Sequence, residues 1–172
     1  MRVDDFKGQA FTWFTGVVED ITDPKNLNRV KVRCIGYHSQ DKDVVGTVDL
    51  PFATVIMPVT SASSKGIGGN HHLEVGSWVV GFFRDGPSAQ DPMVMGSVAT
   101  QTDGEQDIPT DASTTNKVYK SKAGHTIEID NGGTPPLLYQ PEIRVTHSSG
   151  SKITMNHDGS ISIVATNIKL NA

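Results

Sequence analysis

Polar and apolar side chains alternate with a period of two along much of this chain, and that period defines its elements. From Arg29 to Ile35 the charged residues Arg29, Lys31 and Arg33 interleave with Val30, Val32 and Cys34, the pattern of a strand with one wet and one buried face. Trp13 to Glu19 mixes aromatic and β-branched residues and runs out at Asp23-Pro24, which reads as a strand ending in a turn. Three more strands fit Phe52 to Met57, Ser77 to Arg84 and Met93 to Val98. They are set apart by Pro58, by Gly66, Gly68 and Gly69, and by Asp85-Gly86-Pro87.

Five strands with one long, glycine-rich excursion suit a small five-stranded OB-like barrel better than a sandwich, which usually needs seven or more strands. This barrel, with an N-terminal arm, is expected over residues 1–99. Residues 100–116 carry almost no large apolar side chain, cannot bury enough surface to fix their own conformation, and are expected to be an acidic linker. Beyond them, over residues 117–172, the pattern shortens. Gly124 is followed three and five places later by Ile127 and Ile129, and Gly150 in the same way by Ile153 and Met155. After Gly159 the pair Ile161 and Ile163 comes one position early. Short strands with two inward residues each, separated by glycine turns, look like rungs of a repetitive β-structure.

One such strip is a marginal structure in water. The set Ile127, Ile129, Ile143, Val145, Ile153, Met155, Ile161, Ile163, Ile168 and Leu170 therefore calls for partner chains, with Thr154 expected on the wet face. The simplest closed solution is a C-terminal intertwined trimeric β-helix or β-prism, in which three strips point their apolar faces at one axis. The whole chain is thus expected to be all-β and a homotrimer.

Composition narrows the function classes. Of 172 residues only 6% are aromatic, while Gly 17 and Pro 9 favour strands and turns over long helices. A formal net charge of −4 argues against a basic phosphate-binding surface. Residues 100–116 hold four acidic side chains and no basic one, as a solvated linker would. Cys34 is the single cysteine, so no intrachain disulfide or cysteine-rich zinc site is possible. The start, Met1 to Phe11, lacks the apolar run of a secretory signal, from which assembly in the cytoplasm is expected.

The first half also resembles a known family through an ordered series of blocks. They are Phe14 to Asp20; Asp23-Pro24 with Asn28 to Arg33 and Gly36-Tyr37-His38; Leu50 to Ala62; Gly66-Ile67-Gly68-Gly69; Gly76 to Phe83; and Pro92 to Gly96. Together they resemble the OB domain of the baseplate central spike proteins of contractile-tailed phages, relatives of the valine-glycine-repeat spikes of type VI secretion. The resemblance implies a non-enzymatic structural spike in the virion tail baseplate, assembled in the host cytoplasm. Its implied partners are a ring-shaped hub protein, a tip-capping protein and, transiently, the target cell membrane. Some members carry a lysozyme domain between barrel and needle. Here residues 100–116 stand in that place, so no glycosidase residue carries over and no catalytic activity is expected.

Other readings of single motifs are weaker. Gly66-Ile67-Gly68-Gly69 is not a dinucleotide fingerprint, because His71 stands where a third glycine is needed; a loop requiring positive φ or close packing explains it. His71 and His72 are adjacent and point apart on an extended segment, which suits a loop near a subunit interface. His147 and His157 would meet their symmetry copies at a threefold axis, but the family's metal-holding His-x-His pair is missing, so no metal or other cofactor is expected. Gly-x-Ser-x-Gly, His-Glu-x-x-His and Cys-x-x-Cys are all absent. The competing function is a single-stranded nucleic-acid-binding module, with Lys31 and Arg33 beside Trp13 and Phe14 as its platform.

Overall fold

The computed structural model describes residues 12–102, 104–132 and 140–169, and the chain divides into two compact units, Met1–Thr100 and Gln101–Ala172. In the first, β1 (Thr12–Asp20), β2 (Val30–Cys34), β3 (Phe52–Val55), β4 (Trp78–Phe83) and β5 (Pro92–Val98) close a barrel in the order β1-β2-β3-β5-β4. All neighbours are antiparallel except β3 and β5, which run parallel. Each expected strand of this half forms, and the all-β barrel is the architecture of an OB domain.

Strand alternation supplies the core. Phe14 and Val18 from β1, Val30, Val32 and Cys34 from β2, Val79 and Phe83 from β4, and Val94 from β5 are buried together. Gly81 makes room for them: a Cβ there would stand 2.0 Å from the Met93 carbonyl oxygen and 2.6 Å from the Phe14 ring, so only glycine fits. Burial pushes the Cys34 thiol up to about 12, which makes it an inert core residue.

The expectation that β2 has a wet face is overturned: all five of its residues are buried, Arg33 to 3% exposure. The charged side chains act as a strap for the loop over residues 36–50. Arg33 donates from Nε and Nη2 to the two carboxylate oxygens of Glu19 at 2.8 and 2.9 Å, and from its guanidinium to the carbonyls of Ser39 and Val45. Lys31 Nζ donates to the carbonyls of Thr47 and Val48. Alternation reports which residues face each way, but not whether a loop will cover the polar face.

In the second unit β6 (Gln101–Thr102) and β7 (Glu105–Gln106) form a two-residue ladder, so part of the segment expected to be an unstructured linker pairs with itself. Then β8 (Asn116–Lys120), β9 (Thr126–Asp130), β10 (Glu142–Thr146), β11 (Lys152–Met155) and β12 (Ile161–Val164) form an antiparallel meander in chain order. Three of its connections are one turn repeated. In each, the first residue donates its N–H to the carbonyl of the fifth: Ser121 to His125, His147 to Ser151, and Asn156 to Ser160. The fourth residue is glycine at φ +85, +93 and +84, a left-handed conformation that other residues enter at a cost of about 1–2 kcal/mol.

The Glu19–Arg33 pair generates a pH prediction. Arg33, and then Thr47 and Lys42, hold the Glu19 carboxyl down at about 2 against an ordinary 4.5. A carboxyl lowered in the folded state contributes stability that is full above its unfolded value and is lost as pH falls through the folded one. Urea unfolding of the barrel should therefore weaken between about pH 4.5 and 2. Glu19→Gln should cost about 3 kcal/mol at pH 7, near the low end for breaking a buried pair, and should flatten that acid dependence. An unchanged acid profile in the variant would contradict the assignment.

Candidate functional site

The most unusual surface among the described residues is one face of the C-terminal sheet. Residues directly opposite in an antiparallel ladder share a face, and the register builds two rows across it. Ile129, Ile143, Met155 and Ile161 make one row, and Ile127, Val145, Ile153 and Ile163 the other. These are eight of the ten residues expected to form a shared core. Of the other two, Ile168 is exposed beyond β12 and Leu170 lies outside the described residues. Both rows continue onto β8, where Lys117 stands opposite Ile129 and Tyr119 opposite Ile127. Sequence reading missed Tyr119, although its pairing follows from the hairpin turn between Lys120 and Thr126.

All eight row residues are between 41% and 64% exposed. The opposite face carries Glu128, Arg144 and Thr154 in register, and there Glu128 and Thr154 are only 8% and 6% exposed. Thr154, expected at water, is therefore buried. The Arg144 guanidinium lies over this face, 2.6 Å from Glu128, 3.1 Å from Glu142 and 3.6 Å from Asp130. Arg144, with help from Thr126 and Asn116, holds the Glu128 carboxyl below its ordinary value. Within one chain the sheet is inside out, with its charges packed and its isoleucines bare.

The magnitudes favour covering that face. Fully burying an aliphatic side chain is worth about 1.5–3 kcal/mol. Eight that are already half covered would yield roughly 6–12 kcal/mol per chain, comparable with the cost of association. A shallow cleft of about 380 Å³ continues the first row toward Asp130, Glu142, Asn156 and His157. The sheet edges differ as well. β8 carries Lys117 and Lys120, which discourage pairing, whereas β12 is exposed throughout and has no charge, proline or bulge.

The histidines do not assemble a metal centre. Among the described residues no group of three or more His, Cys, Asp or Glu side chains converges. His125 and His147 do meet, their ring centroids 4.4 Å apart, because their turns lie at the same end of the sheet. Their Nδ1 atoms accept backbone N–H groups from Ser148 and Ser149. A ligating imidazole usually donates its second nitrogen, so this arrangement disfavours coordination through Nε2. A cleft of about 320 Å³ beside Asp23, Asn28, Asn70 and His72 is no better as a ligand site. Both oxygens of Asp23 are already taken by Arg29 and by the backbone N–H groups of Lys25, Leu27 and Arg29.

The nucleic-acid platform does not form either. Phe14 is in the core, Arg33 is paired with Glu19 and Lys31 is tied to loop carbonyls, which leaves only Trp13 exposed.

Comparison with known proteins agrees with the barrel. The family model described as the Gp5 N-terminal OB domain matches residues 36–165, a span that starts after β2 and takes in the C-terminal sheet. The chain is 48% identical over 79 residues to the pre-baseplate central spike protein Gp5 of Enterobacteria phage T4, covering 42% of this chain and 14% of that protein. It is 44% identical over 93 residues to protein Gp5 of Vibrio phage KVP40, covering 51% of this chain and 22% of that protein. The matched region is thus less than a quarter of either relative's length.

Proposed function

The chain belongs to the Gp5 N-terminal OB domain family, and from that membership we propose that it is a central spike component of a phage tail baseplate or a related contractile machine. In this reading it is a homotrimer located in the virion baseplate and assembled in the host cytoplasm. The barrel docks on the hub, and the C-terminal strands of three chains form a β-prism or β-helix that transmits axial force to the target envelope. The observation that carries the reading is the bare double row of aliphatic side chains on the C-terminal sheet. Three such faces turned toward one axis cover each other, and the Glu128–Arg144 network is then left on the outside.

The action proposed is mechanical. A shaft held by ladder hydrogen bonds and a shared dry core resists load because many contacts must fail together. The open edge of β12 supports a tip-capping partner that adds a strand, and contact with the target membrane is transient. No catalytic step is assigned to the chain; clearing of purified cell walls by the isolated protein would overturn that part of the reading.

Two neighbouring substitutions on β12 test the shared core. Ile163→Asp puts three like charges into it, at several kcal/mol per unpaired ion, whereas Ser162→Asp changes the opposite face. Thermal unfolding followed by native mass should show Ile163→Asp dissociating the trimer and lowering Tm by about 10 °C or more, with Ser162→Asp close to the parent. Equal effects would mean that the apolar rows are not the interface.

A further inference from the structure

β12 pairs with β11 and with no other described strand. Hydrogen bonds in an antiparallel ladder join every second residue pair, and the turn before β12 fixes which pairs they are. Asn156 donates its N–H to the Ser160 carbonyl, so the bonded pairs beyond it are Thr154 with Ser162 and Lys152 with Val164. The N–H and C=O groups of Ile161 and Ile163 therefore point to the open side. An added antiparallel strand would bond to these two residues, and the residues it set opposite them would share their face. That face is the one with the two aliphatic rows.

The sequence after β12 matches that requirement. Setting Ile168, Lys169, Leu170 and Asn171 against Ile163, Ser162, Ile161 and Ser160 in turn puts apolar opposite apolar and polar opposite polar at every pair. Val164 to Asn167 is then the four-residue loop of a hairpin, a common length. The neighbouring register with the same bonding parity leaves a two-residue loop, Thr166-Asn167. Such a loop in its favoured form needs positive φ at both residues, which a β-branched threonine resists. That register also sets Ala165, a small residue, against Ile168.

We propose that residues 168–171 add to β12 of their own chain as a further strand of the sheet, and that they do so as the chains assemble. The inference rests on the trimer reading above. In one chain residues 165–169 form no strand and Ile168 is 51% exposed, because a strand there would only widen a bare face. Once three such faces cover one another, Ile168 extends the row that ends at Ile163, Leu170 extends the row that ends at Ile161, and both leave water. Lys169 continues the polar row of Arg144, Thr154 and Ser162 on the other face. The uncharged edge of β12, otherwise a template for unwanted pairing, is closed by the chain itself, and a tip-capping strand then meets the outer side of residues 168–171.

The test is disulfide trapping in the full chain with Ser162→Cys/Lys169→Cys, compared with Ser162→Cys/Leu170→Cys. Ser162 and Lys169 are exposed, and buried Cys34 contributes no background. The proposed register makes Ser162 and Lys169 an unbonded facing pair, whose Cα atoms lie about 4.5 Å apart, within disulfide reach; Ser162 and Leu170 fall on opposite faces. Mild oxidation should remove two hydrogens from each chain of the first variant, read by intact mass and reversed by reduction, and none from the second. Native mass of the reduced proteins reports the oligomer separately. A trimer in which the first pair stays open overturns the added strand and leaves the trimer reading standing. Equal closure of both pairs would show a loose segment with no register, and crosslinks between chains would place it on a neighbour's β12; either overturns the proposal. A monomer by native mass overturns both readings.

Discussion

The C-terminal sheet has a face that the described residues of one chain leave bare. Its two aliphatic rows come from four different strands, aligned by register, and no segment of the described chain lies over them. A lone sheet of this kind is marginal in water. The other face does not compensate, since its stability comes from the Glu128–Arg144 pair and its neighbours. In the proposed trimer, identical copies would supply the missing cover in the simplest way, because each brings the same unsatisfied surface.

The barrel solves the opposite problem. Its core closes within one chain around Phe14, Val79 and Phe83, and its one strongly charged strand is protected by a loop that Arg33 and Lys31 hold down. The chain thus combines a self-sufficient domain with a dependent one. That division is what the proposed spike role would use: a rigid unit would dock as a body, while a shaft made from several chains would fail only when all of them separate.

Much of this was legible in the sequence because its signals were local. Period-two alternation located β2, aromatic and β-branched runs bounded by proline and glycine turns located the other barrel strands, and the glycines at 124, 150 and 159 marked three copies of one turn. Even the early arrival of Ile161 has a simple origin. Residues flanking a hairpin turn share a face, so turns that follow Lys120 and Thr146 begin the next strand on the polar side, whereas the turn after Met155 begins it on the apolar side. The features that escaped are long-range: the strap over β2, the burial of Thr154 under a polar network, and the meeting of His125 with His147 across two turns. Each depends on which segments become neighbours, and spacing along one strand carries no record of that.

Molar mass in solution, measured by light scattering on the intact chain at micromolar concentration, tests the shared apolar face most directly. The account predicts a species of three times the 18.5 kDa chain mass. A stable, folded monomer with a protected C-terminal sheet would contradict it.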